Sequence, residues 1–231
     1  MPYHLGVEDM EPNHWIAWVF DLPGCYSSAQ TQDGAVLLAP ARIAEFFDWR
    51  ARRGRPSPLA DENIQTQVLE VFHAYPDQAD PDYIVNAFFN EDRRPLTPDE
   101  IDDALWLLQQ TRADLLAAIE PVTPSRRKQR IPGDERFKTI NGILRHVAWA
   151  EWWYFDRLGL AFARQDMPRD PAAALEKVRA HTIATLPTLV GKTQVVERSS
   201  ERWSARKVVR RAVWHERDHT GQIGKVMSDE V

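Results

Sequence analysis

The segment Trp214-His215-Glu216-Arg217-Asp218-His219-Thr220-Gly221-Gln222-Ile223 sets two histidines one helical turn apart, and no other feature limits the fold as strongly. Side chains four residues apart on a helix stand one above the other, so both rings reach a single point. Ala205, Val208, Ala212, His215, His219, Gln222 and Val226 recur at steps of three and four. That period places both rings on the stripe a bundle helix turns toward its neighbours. Two imidazoles buried there without partners would be costly, whereas one bound metal ion satisfies both.

The string His215-Glu216-x-x-His219 also matches the zinc metalloprotease signature, in which the Glu is general base, so Glu216 is the candidate catalytic residue. Against that class, only 12 residues follow His219 and none is a histidine. The longer metzincin form would have Gly and His where Gln222 and Lys225 stand. Glu216 also points about 100° away from His215 around the helix.

A third ligand is available upstream. Phe137 to Leu160 reads as a helix with Ile140, Ile143, Val147, Ala150, Tyr154 and Leu158 as its apolar stripe, and His146 borders that stripe. His181, on one face with Ala174, Val178 and Thr185, is the other candidate, while His4, His14 and His73 have no spacing that argues for chemistry. Three neutral imidazoles leave the charge of a divalent ion uncompensated and a coordination position open, as in catalytic sites, and they suit nickel, zinc, iron or manganese. A water there is acidified toward ~7 and a thiol is held as thiolate. Gln222, one turn beyond on the ligand face, is placed to bond an imidazole from outside.

Composition narrows the class further. Cys25 is the single cysteine, which rules out an internal disulfide or a cysteine metal site and fits a reducing cytoplasm. The most apolar stretch, Ile140 to Phe162, is broken by Arg145, Glu151, Asp156 and Arg157, short of the ~20 apolar residues of a membrane span. Met1-Pro2-Tyr3-His4 lacks the layout of a signal peptide. A net charge of -5 argues against general nucleic-acid binding. Two basic runs, Arg126-Arg127-Lys128-x-Arg130 and Arg206, Lys207, Arg210 and Arg211, read as a solvated loop and a solvated helix face. The sharper alternative is a cation meeting an anionic substrate near the metal.

The two halves differ in pattern. Tyr3 to Asp9 and Trp15 to Asp21 read as strands about the turn-prone Glu11-Pro12-Asn13, and Asp21-Leu22-Pro23-Gly24-Cys25-Tyr26 leads into a short third strand. A helix is expected from about Gln32 to Arg52, capped by Thr31 and ended by Arg52 to Pro58. Ile64 to Phe72 alternates like a strand, and Tyr83 to Phe89 is ambiguous. The order strand, Asp-Leu-Pro-Gly-Cys, strand, Thr31, helix resembles the HicB-like fold of antitoxins over roughly residues 1 to 75. The resemblance implies an α+β domain with a three-stranded sheet and a packed helix, used to bind a partner protein or to oligomerise. The DNA-binding segment usual in that family is replaced here by helices.

From Pro95 onward four helices are legible. Thr97-Pro98-Asp99-Glu100 forms a capping box before a stripe of Ile101, Leu105, Leu108, Leu115 and Ile119. Phe137 to Leu160 follows, Asp170-Pro171 opens a third helix running to Gly191, and Ser204 caps the last. Ile143-Leu144-Arg145-His146-Val147-Ala148-Trp149-Ala150-Glu151 and His215-x-x-x-His219-Thr220-Gly221-Gln222-Ile223, in this order, resemble the DinB-like superfamily over about residues 95 to 231. That resemblance implies an all-α four-helix bundle in which His146, His215 and His219 bind nickel or zinc. Characterised members of the superfamily include bacillithiol and mycothiol S-transferases and a thiol-dependent isomerase.

The expected layout is therefore a HicB-like α+β domain over residues 1–92 and a DinB-like bundle over residues 93–231. The leading expectation is a metal-dependent enzyme, S-transferase-like or hydrolytic, whose ion activates a water or a low-molecular-weight thiol against a small-molecule electrophile. The alternative is a non-catalytic binding or regulatory protein that docks a protein partner or a second copy through its HicB-like part.

Overall fold

A computed structural model of the chain describes residues 1–55 and 63–228. The chain divides into one unit of Met1–Arg94 with Val195–Trp203 and another of Pro95–Gln194 with Ser204–Val231.

In the first unit, β1 (Tyr3–Glu11) and β2 (His14–Val19) pair antiparallel across a turn in which Asn13 takes a φ of 60°, a left-handed conformation that Asn tolerates. A second turn through Pro23-Gly24 brings β3 (Tyr26–Ala29) alongside β2. The Thr31 hydroxyl accepts from the Gly34 N–H and caps α1 (Gln32–Ala51), which buries Ala35, Ala39, Ile43 and Phe46 on the side facing the sheet. Pro56 to Pro58, expected to end that helix, lie outside the described residues. The expected three-stranded sheet is four-stranded, because β4 (Thr66–His73) runs parallel to β1 and gives the order β3-β2-β1-β4. The alternation at Ile64 to Phe72 is a strand of this same sheet, half-buried on one face and exposed on the other.

Buried Glu8 accepts from Trp18 Nε1 at 3.0 Å and from the Ala87 N–H at 2.7 Å, which satisfies a carboxylate inside the sheet. Two short ladders complete the unit. β5 (Tyr75–Pro76) pairs with β6 (Ile84–Val85), and β7 (Val196–Arg198) pairs with β8 (Glu201–Trp203). Tyr83 Oη donates to the buried Glu201. The turn between β7 and β8 is Ser199-Ser200, with φ of 51° and 58°.

The second unit contains, among the described residues, α2 (Pro98–Ile119), α3 (Ile140–Arg157), α4 (Pro171–Thr185) and α5 (Ala205–Ser228). Both halves of the Thr97/Glu100 capping box form, Asp170 accepts from the Ala173 N–H to cap α4, and Ser204 Oγ accepts from Lys207 N at 3.2 Å. Helix α2 packs on α5, while α3 packs on both α4 and α5. The buried line of α2 is Ile101, Ala104, Leu108, Thr111, Leu115 and Ile119, with Leu105 only half-buried. Helix α4 stops at Thr185 and passes into a 3-10 turn, Leu186–Leu189, containing Pro187. No helix among the described residues is long and apolar enough to cross a membrane.

Each helix contributes one charge to a buried ring. Arg112 of α2 and Arg179 of α4 each pair with both Glu151 of α3 and Glu216 of α5, at 2.5 to 2.9 Å. The ring is closed and electrically balanced. Thr111 Oγ1 donates to Glu216, and the spare guanidinium hydrogens go to the Leu175 and Leu108 carbonyls. Burial pushes the Glu151 carboxyl up, but Arg179 and Arg112 together outweigh it and hold the group at about 2.

Candidate metal centre

Three imidazoles from two helices meet inside the second unit. His146 projects from the middle of α3, and His215 and His219 from successive turns of α5. His215 Nε2 lies 3.0 Å from His146 Nε2 and 3.1 Å from His219 Nε2, and the three ligand atoms fall within 4.8 Å of one another. Two nitrogens bound at ~2.1 Å to one divalent ion sit ~3.0–3.4 Å apart, so the donor set fits such an ion. His181 is elsewhere. Its Nε2 is 2.7 Å from the Leu160 carbonyl and its ring packs on Phe155 and Phe162.

Burial keeps the three rings neutral, which is the form that offers a lone pair. It takes His146 down to about 4, with His219 and Arg136 adding to the shift. His215 is pushed well below its ordinary value by burial, then by the His219 and His146 rings beside it, with Arg211 and Arg136 adding to the shift. His219 is also lowered by burial, opposed by its bond to Gln222 and by Asp218. Gln222 Oε1 sits 2.7 Å from His219 Nδ1, the outer contact its position on the helix face predicts.

The loop before α3 closes over this cluster. Helix α3 starts at Ile140 with Thr139 as cap, so Phe137, expected in the first turn, belongs to the loop instead. Its ring packs on His146 at 4.8 Å and edge-on to His219 at 5.1 Å between centroids, with the Arg136 guanidinium 5.2 Å from its own ring centre. Lys138 takes a φ of 64°, an uncommon conformation for a side-chain-bearing residue. The Phe137 carbonyl then comes so near α3 that a Cβ on Gly142 would lie 2.0 Å from its oxygen. Glycine is therefore required at that position for the loop to sit where it does.

Glu216 does not reach the imidazoles. Its carboxylate is 1% exposed and is held by Arg112 Nε, Arg179 Nη2 and Thr111 Oγ1. A base committed to two guanidiniums cannot serve the protease mechanism that the His-Glu-x-x-His string suggests. The basic run on α5 is also unlike its expectation. Arg206, Lys207, Arg210 and Arg211 are buried rather than solvated, and Arg206 donates to Glu100 and to the Pro95 carbonyl. In the other run, Arg127 donates to the Ile119 and Val122 carbonyls at the end of α2.

Four helices and three convergent imidazoles define a bundle with a candidate tri-histidine metal centre. The chain belongs to the DinB superfamily, whose family model matches residues 107–223. Among solved structures it is similar to YfiT from Bacillus subtilis, described as a probable metal-dependent hydrolase with an unusual four-helix bundle topology. That similarity has 17% identity and a TM-score of 0.47, over 59% of this chain and 91% of the other. No curated protein matches the chain.

Proposed function

We propose that the second unit binds one divalent ion through His146, His215 and His219 and works as a metal-dependent enzyme, S-transferase-like or hydrolytic. The observation that carries this reading is the approach of three Nε2 atoms from α3 and α5 to within bonding range of one point. A divalent ion held there, nickel or zinc as the family resemblance implies, would supply an acidified water or a low-molecular-weight thiolate as nucleophile.

The chain's own residues do the rest. Burial keeps the imidazoles unprotonated and ready to bind, and Gln222 orients His219. Phe137 shields His146 and His219 from solvent on its side of the cluster. Glu216 is assigned to the charge ring and not to proton transfer.

Protein purified without chelator is expected to carry about one divalent metal per chain by elemental analysis, and His215→Ala to carry none. Turnover of electrophiles with a panel of thiols, or of ester and amide substrates with water, is expected for the loaded protein and not for the variant. A wild-type protein that takes up no divalent metal, even when zinc or nickel is supplied in excess, would remove this reading.

A further inference from the structure

We propose that Asp134, a loop residue that touches no imidazole, sets the tautomer of His219 through the side-chain amide of Gln222. The polarity can be traced atom by atom. Asp134 Oδ1 accepts from the Phe137 N–H at 2.7 Å, and Oδ2 accepts from Gln222 Nε2 at 3.3 Å. An ionised carboxylate offers only acceptors, so it selects the NH2 end of the amide. The other end, Gln222 Oε1, is then presented to His219 Nδ1 at 2.7 Å. An acceptor there requires the proton to sit on Nδ1, and a neutral ring protonated on Nδ1 keeps its lone pair on Nε2. That Nε2 is the atom 3.1 Å from His215 Nε2 in the cluster.

A reversed amide would point its NH2 at Nδ1, move the ring proton to Nε2, and remove one of the three donors from the metal face. Asp134 is thus a positioning residue. Because the same carboxylate holds the backbone that carries Phe137, the tautomer and the placement of the covering ring have one origin. The consequence for metal affinity rests on the reading given under Proposed function. The tautomer itself does not.

The test uses the full chain in metal-free form, with long-range proton–nitrogen NMR of the His219 ring to locate its proton, and separately zinc competition against a chelator. Wild type is expected to show the proton on Nδ1. Asp134→Asn keeps an acceptor for the Phe137 N–H but offers an NH2 to Gln222, so the Nε2-protonated form is expected to reach half the population or more. Zinc affinity should then fall about tenfold. Gln222→Glu accepts from Nδ1 without help from position 134 and is expected to keep the wild-type tautomer. The double variant Asp134→Asn/Gln222→Glu restores a donor-to-acceptor chain and is expected to recover both readouts, which a merely structural role for Asp134 would not produce.

Asp134→Asn with an unchanged His219 tautomer overturns the proposal, and so does a double variant no better than the single one. If Asp134→Asn fails to fold, Gln222→Met decides, because a ring that keeps its proton on Nδ1 without the amide needs no relay. A protein that binds no zinc while its tautomers respond as stated would leave the relay standing and sink the metal reading alone.

Discussion

Breaking the interior charge ring should cost far more than its distance from the imidazoles suggests. Glu151→Met leaves Arg112 and Arg179 facing a single carboxylate, Glu216, in a site where the paired side chains are 2% to 10% exposed. Removing one partner of a buried pair costs about 3–5 kcal/mol, because the remaining charge stays desolvated. The downward shift of the Glu151 carboxyl to about 2 has the same sign and origin. Arg179→Met should cost a similar amount, since it orphans part of Glu151 and Glu216. The double variant removes one charge of each sign and leaves the Arg112–Glu216 pair at 2.5 Å intact. Its loss should therefore fall short of the summed single losses by about 2 kcal/mol or more, where independent sites add to within ~0.5 kcal/mol. Urea unfolding followed by far-UV CD, with the four proteins arranged as a double-mutant cycle, measures this directly. Additive losses, or a Glu151→Met protein within about 1 kcal/mol of wild type, would show that the four groups do not act as one closed unit.

Other outcomes follow from the same geometry. Gly142→Ala gains ~1 kcal/mol by helix propensity alone, yet it should lower the unfolding midpoint and weaken zinc binding, because its Cβ meets the Phe137 carbonyl oxygen at 2.0 Å. The His146 pKa is depressed in the folded state, so metal-free protein should lose stability as pH falls from 6.5 toward about 4, and His146→Asn should flatten that part of the profile. Glu151, depressed from 4.5 to about 2, adds a second loss below pH 4.5 that Glu151→Gln should remove, as acid titration of the CD signal will show. Zinc supplied at about a thousandfold over its Kd should stabilise the protein by ~4 kcal/mol in thermal scans, and should have no such effect on His219→Ala.

Local signals in the sequence reached the parts of the fold that local chemistry decides. The Thr97/Glu100 box, the Asp170 and Ser204 caps and the i, i+4 histidines are spacings within one turn, so they appear in the chain as they do in the structure. His146 was legible because few histidines lie in a strongly apolar helical run. The charge ring was not, although Glu151 interrupts that run and Arg179 lies beside Val178 on α4, since its partners are 28 to 104 residues apart. The β7–β8 hairpin escaped for a different reason. Its turn needs positive φ at two successive residues, a role whose usual signature is Asn-Gly, and here Ser199-Ser200 fills it. The apolar side chain of Phe137 continues the stripe of α3 in sequence and so extends the helical pattern, whereas in the structure Thr139 takes the cap and leaves it outside.

That hairpin has a consequence for how the protein is made. Residues 195–203 belong to the first unit although they are encoded after α4, so the polypeptide leaves its opening unit at Arg94, builds three helices, and returns before laying down α5. A ribosome that has released only the first hundred residues has not yet supplied Glu201, which pairs with Tyr83, or Trp203, which is wholly buried. The opening unit is completed only when Trp203 emerges, just ahead of the helix that delivers His215 and His219. A gene fragment cut at any single point would leave one of the two units short of part of itself.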